Sequence, residues 1–264
     1  MFDIQHSAGL LFPQLQALTV AEITGVVISL VLGGMVKGMT GIGVPLVAMP
    51  ILTHFLPVKQ AVLLLSMPII LGNIPQALEG GEMWRTVKDI AAPLAGTVIG
   101  NVIGVSVLIA LEPHHAQAVA GSMLILAAAL MLAAPRFTLA PTLVTPIGFV
   151  LGFGAALMES IASVPGPLLA MYLIASGATG RVFTKRIAII LVVSVITLIT
   201  TFSGGAKANG VDLAISTAAS LPAIAGMLLV RPVRDSLHPL VFRAVVLVCV
   251  LLAAAQMIWR SGVL

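Results

Sequence analysis

Apolar runs of roughly 20 residues follow one another along almost the whole 264-residue chain, each about as long as a helix must be to cross the ~30 Å hydrocarbon core of a bilayer. They fall near residues 20–38, 43–56, 60–78, 90–111 and 116–134, and again near 142–158, 164–176, 187–203, 212–230 and 239–259. Clusters of Pro, Gly or charge separate them. Charged residues make up 8% of the chain, against about 25% in a soluble domain. No polar interruption is long enough to fold as a soluble unit. The chain reads as one all-α, polytopic membrane domain spanning residues 1–264. Residues 1–19 lack the basic flank and small-residue cleavage site of a signal peptide and are expected to form a short tail near the interface.

The net charge of +4 does not point to nucleic acid. The basic residues sit in loops, where they set orientation in the membrane. The bilayer itself is the expected partner, and a homo-oligomer is compatible with the sequence. The single cysteine, Cys249, excludes an intrachain disulfide and a multi-cysteine metal site, and its mid-span position reads as plain core. His6, His54, His114, His115 and His238 lie near span ends or in loops. No His-Glu-x-x-His pattern and no phosphate-binding loop ending in Gly-Lys-Ser/Thr is present. No metal and no other cofactor is expected.

Two stretches about 122 residues apart carry the same design. The first runs from Lys37 through Thr40, Gly41, Gly43 and Pro45 to Met49. The second runs from Glu159 through Ser160, Ser163, Gly166 and Pro167 to Met171. Each has a charge inside an apolar belt, then a helix-breaking cluster, then another apolar segment. Further matches keep the register: Gly80-Gly81 with Gly204-Gly205, Gly100 with Gly226, and Pro113 with Pro239. The offset drifts only from 122 to 126. Internal repeats over 20–135 and 141–260 follow, with an interrupted or re-entrant pair of segments opening each half. Residues 164–176 are too few to cross at 1.5 Å per residue, so the first two segments of each half either form a re-entrant hairpin or both cross.

Loop charges bear on how the halves are related. An odd number of crossings per half gathers Arg85, Lys88, Arg136, Arg181, Lys185, Arg186, Arg231 and Arg234 on one side, with Arg243 near it. Lys59, Lys207 and Arg260 remain opposite. An even number divides them almost equally. Cytoplasmic loops carry the excess of Lys and Arg, so the sharper asymmetry favours inverted-topology repeats with both termini outside the cytoplasm.

Inversion would bring the two interrupted segments together near the bilayer centre, as in transporters built from such repeats. Helix starts at the breaks would expose N–H groups suited to an anion. Lys37, Thr40, Gly41, Gly43, Ser160, Ser163, Gly166 and Asn73 form the expected substrate site, with Lys37 as counter-charge. Glu159 is the expected proton-coupling group. A charge at the bilayer centre costs about 3 kcal/mol or more, which argues for function; a structural ion pair or snorkelling is the competing account. Asn73, Gln76 and Asn101 are read as amides that bond across helices. No nucleophile with a neighbouring base sits deep enough for an intramembrane enzyme, and the few intramembrane polar residues argue against a wide passive channel.

At these breaks the chain resembles the sulfite exporter TauE/SafE family, also called the toluene-sulfonate uptake permease family. The residues that carry the resemblance are Gly34-Met-Val-Lys-Gly-Met-Thr-Gly-Ile-Gly43, the Pro50-Ile-Leu that follows, and the matching break in the second half. The resemblance covers roughly residues 20–260; Val44-Pro45 stand where the family often adds glycines. It implies a secondary carrier for small sulfur-containing anions such as sulfite or organosulfonates, multi-pass in the bacterial inner membrane. Chemistry alone would equally suit a carboxylate or thiosulfate, and leaves an assembly factor for another complex open.

Overall fold

The structure is a computed structural model that describes residues 10–40, 43–133, 138–205, 208–230 and 239–263. The described residues form helices joined by short connections. In chain order these are α1 (Leu11–Gln16), α2 (Val20–Thr40), α3 (Pro45–Leu52), α4 (Val58–Leu78), α5 (Met83–Asp89) and α6 (Ala91–Ala110), followed by α7 (Pro113–Ala133), α8 (Pro141–Ala162), α9 (Gly166–Ala175), α10 (Gly180–Gly205), α11 (Gly210–Leu229) and α12 (Pro239–Ser261). Among the described residues, seven of them (α2, α4, α6, α7, α8, α10 and α11) are long and apolar enough to cross a membrane. Many of their large apolar side chains, such as Val150, Leu221 and Leu229, point outward, as lipid requires and water would not tolerate in one continuous belt.

The opening segments of each half resolve into a full-length helix and a partial return. α2 has 21 residues and α8 has 22, whereas α3 has 8 and α9 has 10. At 1.5 Å per residue the short helices cover about half a bilayer or less. They run back along their partners: Gly33 meets Val44 and Ala48, while Gly25 meets Phe55. In the second half Gly154 meets Leu168 and Gly148 meets Tyr172, and the N–H of Leu139, just before α8, donates to the carbonyl of Ala175 at the end of α9 (2.8 Å). Each pair therefore returns the chain to the face it entered from.

Helix directions follow from the contacts. Gly34 abuts Ala223 and Gly38 abuts Met227, so α2 and α11 run parallel. Gly96 abuts Phe149, Gly100 abuts Phe153 and Gly104 abuts Ser160, so α6 and α8 run parallel too. Arg186 meets Asp89 at one end of α10, Ser194 meets Asn101 midway, and Gly205 meets Ile109 at the other, which makes α10 parallel to α6. α4 runs the opposite way beside α10. Its first turn places Lys59 Nζ on the carbonyl of Ile109 (2.8 Å), and Gly81, just beyond its end, accepts from Lys185. On α11, Ser216 bonds the carbonyl of Leu64 and Met227 borders Gly72, so α11 runs parallel to α4 and opposite to α10. α2 and α8 therefore run in opposite directions.

At Gly100 an added Cβ would lie 2.5 Å from the carbonyl oxygen of Phe153, and at Gly226 it would run into that of Val31. The missing side chains let two helix backbones approach closely, which is how helices associate when lipid removes the hydrophobic drive between them.

Three features depart from the sequence expectations. Residues 10–16 of the expected tail dock as α1, with Leu11 fully buried. Asp212 holds them: its carboxylate accepts from the N–H groups of Leu10 (2.8 Å) and Leu11 (2.6 Å) while closing a capping box with Asn209 at the start of α11. Between α4 and α6, where a loop was expected, lies α5, with no buried residue; Lys88 sits 5.2 Å over the ring of the exposed Trp84, as suits the interface. Cys249 is exposed, not core. α12 turns Val246, Leu247, Val250, Ala254 and Met257 inward and leaves Val248, Cys249 and Leu252 on its lipid side.

Candidate functional site

Lys37 lies in the last turn of α2 and is 9% exposed. Its ammonium group extends over Gly72 of α4, where an added Cβ would stand 2.7 Å from Nζ, and the Met227 methyl of α11 borders the same space. Lys37 forms no hydrogen bond or ion pair with the described residues. A buried ammonium group without a counter-charge is costly, and it is chemically ready to pair with an anion. Asn73, next to Gly72, is buried and donates to the carbonyl of Ile69 in its own helix (2.6 Å), not across helices.

Glu159 lies near the end of α8 and is fully buried. Its Oε2 accepts from the hydroxyl of Ser194 on α10 and from Asn101 Nδ2 on α6 (3.4 Å). Asn101 Nδ2 also reaches Ser194 Oγ (2.6 Å) and the Ser194 carbonyl (3.1 Å). Asn101 Oδ1 accepts from Ser160 Oγ (2.8 Å). Three helices thus converge on one carboxyl group. Its other oxygen, Oε1, is buried with no partner. A carboxyl group held this way can take up a proton on its free oxygen.

The two clusters occupy corresponding places in the numbering. Lys37 and Glu159 are 122 positions apart, and so are Gly72 and Ser194. Asn101 follows Gly100, and Met227 follows the matching Gly226. In each cluster three helices contribute one residue apiece: Lys37, Gly72 and Met227 in the first, Glu159, Ser194 and Asn101 in the second.

The remaining residues singled out from the sequence are placed as follows. Ser160 joins the Glu159 cluster, with its hydroxyl already committed to Asn101. Ser163 is buried at the break and takes a left-handed φ of 57°, a conformation costing a non-glycine residue about 1 kcal/mol or more. Its N–H donates to the Glu159 carbonyl (2.7 Å), and that of Val164 to Met158 (3.4 Å). Pro165 and Pro167 have no N–H, so the start of α9 keeps only Gly166 and Leu168 with N–H groups for a ligand. Space is open at Gly166. Gly43 precedes α3 with Pro45 at the first turn, a position that suits proline. Gly41 and the side chain of Thr40 lie outside the described residues.

Sequence reasoning singled out Asn101 only as a cross-helix amide and passed over Gly72, Ser194 and Met227. The one signal that could have found them is the repeat register, since a glycine and a methionine in an apolar span carry no chemical mark.

Two other groupings lie at the ends of the spans. Glu112, His114 and His115, all exposed before and at the start of α7, bring one ligand atom each within 4.8 Å of one another, a grouping the adjacent histidines do not announce. A polar cleft beside α5 is lined by Glu82, Arg85, Thr86, Asp89, Val182 and Arg186, with Arg186 paired to Asp89 at 2.6 Å.

A protein-family model described as sulfite exporter TauE/SafE matches residues 26–257, nearly the whole chain and both clusters. No curated protein and no solved structure matches.

Proposed function

The chain belongs to the sulfite exporter TauE/SafE family and is a multi-pass membrane transporter, and we propose that it is a secondary carrier of small sulfur-containing anions, sulfite or an organosulfonate, across the bacterial inner membrane. Proton movement through Glu159 drives it. The observation that carries this reading is the pair of buried, incompletely satisfied charges on two helices running in opposite directions. Lys37 has no counter-charge among the described residues, and Glu159 keeps one oxygen unpaired. Such groups are expensive in a bilayer and mark substrate and proton paths. A sulfur oxyanion offers several acceptor oxygens and one or two negative charges, which suits an ammonium group and a few N–H donors.

The opposite directions of α2 and α8, and of α4 and α10, support two inverted repeats over 20–135 and 141–260, the architecture on which alternating access by rocking of one half against the other is built. Arg85 and Lys88 on α5 share a face with Arg181, Lys185 and Arg186 at the start of α10, tied by the Asp89–Arg186 pair. Lys59 lies at the opposite face. That asymmetry supports a cytoplasmic location for the α5 face.

Flux in proteoliposomes against sulfite, an aliphatic sulfonate, thiosulfate and short carboxylates tests the proposal. Sulfite or sulfonate movement accelerated by an imposed pH gradient is expected. Preference for a carboxylate or thiosulfate would reassign the substrate, and movement of none would favour an assembly role.

A further inference from the structure

Resting on the transport reading above, we propose that anion and proton occupy two separate stations, one in each half and on opposite sides of the bilayer mid-plane, instead of sharing one cavity. Lys37, Gly72 and Met227 form the anion station; Glu159, Asn101, Ser160 and Ser194 form the proton station.

Three observations carry this. First, the partner sets share no residue: Lys37 meets α4 and α11, whereas Glu159 meets α6 and α10. Second, Lys37 and Glu159 each lie near the C-terminal end of a helix, and those two helices run in opposite directions, which puts the charges towards opposite faces. Third, the dressing differs where the framework is the same. Around Lys37 the two corresponding positions carry no donor and no acceptor side chain: the ammonium group itself lies over the Gly72 backbone, 2.7 Å from where a Cβ would stand, and the Met227 thioether borders it. An ammonium group with neither a charge nor an acceptor side chain from these two neighbours suits a compact anion as its partner. Around Glu159 the same two positions hold Ser194 and Asn101, whose groups make hydrogen bonds to Oε2 and leave Oε1 bare. An anion there would meet a carboxylate. The proton adds to Oε1, converting the carboxylate to a neutral acid, and leaves by the reverse step to the water on the other face.

Among the described residues, no other ionisable group on the helices packed against α8 lies beside Glu159. α6 carries none. On α9, Tyr172 lies against Gly148, three turns away along α8. On α4, Lys59 is at the start of the helix and bonded to Ile109. Arg181, Lys185 and Arg186 occupy the first turns of α10, with Lys185 and Arg186 bonded to Gly81 and Asp89. His114 and His115 of α7 lie exposed at its start beside Glu112.

Sulfite flux in proteoliposomes reconstituted with the full chain, measured as concentration and pH-gradient series, separates the stations. Gly72→Ala puts a methyl group against a flexible lysine end, which can move aside, so the fold should survive. It is expected to raise the KM for sulfite by about tenfold, the scale of one charge-assisted hydrogen bond, while keeping acceleration by the pH gradient. Ser194→Ala is expected to abolish that acceleration with KM changed by less than about twofold, and Ser194→Thr, which restores the hydroxyl, to recover it. If both alanine variants shift KM and gradient response together, one shared cavity is the truth and the two-station assignment falls while the transport reading stands. If the wild-type chain moves none of the anions tested, the transport reading itself falls, and this with it.

Discussion

Ser194 donates its hydroxyl to Glu159 at the place where, 122 residues earlier in the chain, Gly72 lies bare beneath Lys37. A carboxyl group buried this completely would ordinarily be avoided in a membrane. Here Ser194 and Asn101 satisfy one oxygen, and the other remains free. Glu159→Gln keeps the shape and an acceptor for Ser194 but removes the exchangeable acid. The variant is expected to reach the membrane and to bind and move anion down its own gradient, while losing acceleration by an imposed pH gradient. Flux measured with and without that gradient checks this; a mutant that responds as the wild type does would make Glu159 structural.

Lys37 presents the complementary case. Its neighbours Gly72 and Met227 supply no negative charge, so a purely structural ion pair does not account for its burial. Lys37→Ala is expected to reduce anion flux to the background of protein-free vesicles without lowering the amount of protein in the membrane. Removing an unpaired buried charge should also leave thermal stability equal or higher. Unchanged flux would remove Lys37 from the site.

Much of the architecture was legible because lipid restricts the choices: long apolar runs become helices, and Pro45 and Pro167 mark where the second segment of each half begins. Element lengths were harder. The sequence left open whether both opening segments cross, and contacts such as Gly25 with Phe55 were needed to show a full crossing followed by a partial return. The charge in each cluster was legible too, since Lys37 and Glu159 stand out in apolar surroundings, and Ser160 and Asn101 were named beside Glu159. Gly72, Met227 and Ser194 did not stand out, because what makes them part of a site is the helix packed opposite, over 30 residues or more away in sequence. Ser160 looked like a free donor until its bond to Asn101 was seen. Cys249 shows the same limit: depth in the membrane can be read from position along a span, but the side of the helix that faces lipid cannot.

Lys59 and Arg181 should report opposite faces of the membrane. Lys59 is bonded at the end of α6 where Ile109 lies, while Arg181 belongs to the first turn of α10, which meets Asp89 at the other end of the same bundle. Single cysteines at these positions, in a Cys249→Ala background because Cys249 is exposed, are expected to react with an impermeant maleimide from opposite sides of intact cells and inverted vesicles. Labelling of both from one side would refute the inverted arrangement.

Gly100 and Gly226 allow a stability test that involves neither charge. A methyl group at either position would press on the carbonyl of Phe153 or of Val31, and backbone on a packed helix cannot give way as a flexible side chain can. Gly100→Ala and Gly226→Ala are each expected to cost about 1–3 kcal/mol, the usual range for overpacking. Gly204→Ala is the control, since nothing lies within 4 Å of an added Cβ there, and it should change stability by less than about 0.5 kcal/mol. Thermal unfolding of the detergent-solubilised protein measures all three. The two glycines belong to corresponding crossings, α6 on α8 and α11 on α2, so similar losses are expected from both. A loss at one and not the other would mean that the two crossings, alike in backbone, do not share the burden of holding the halves together.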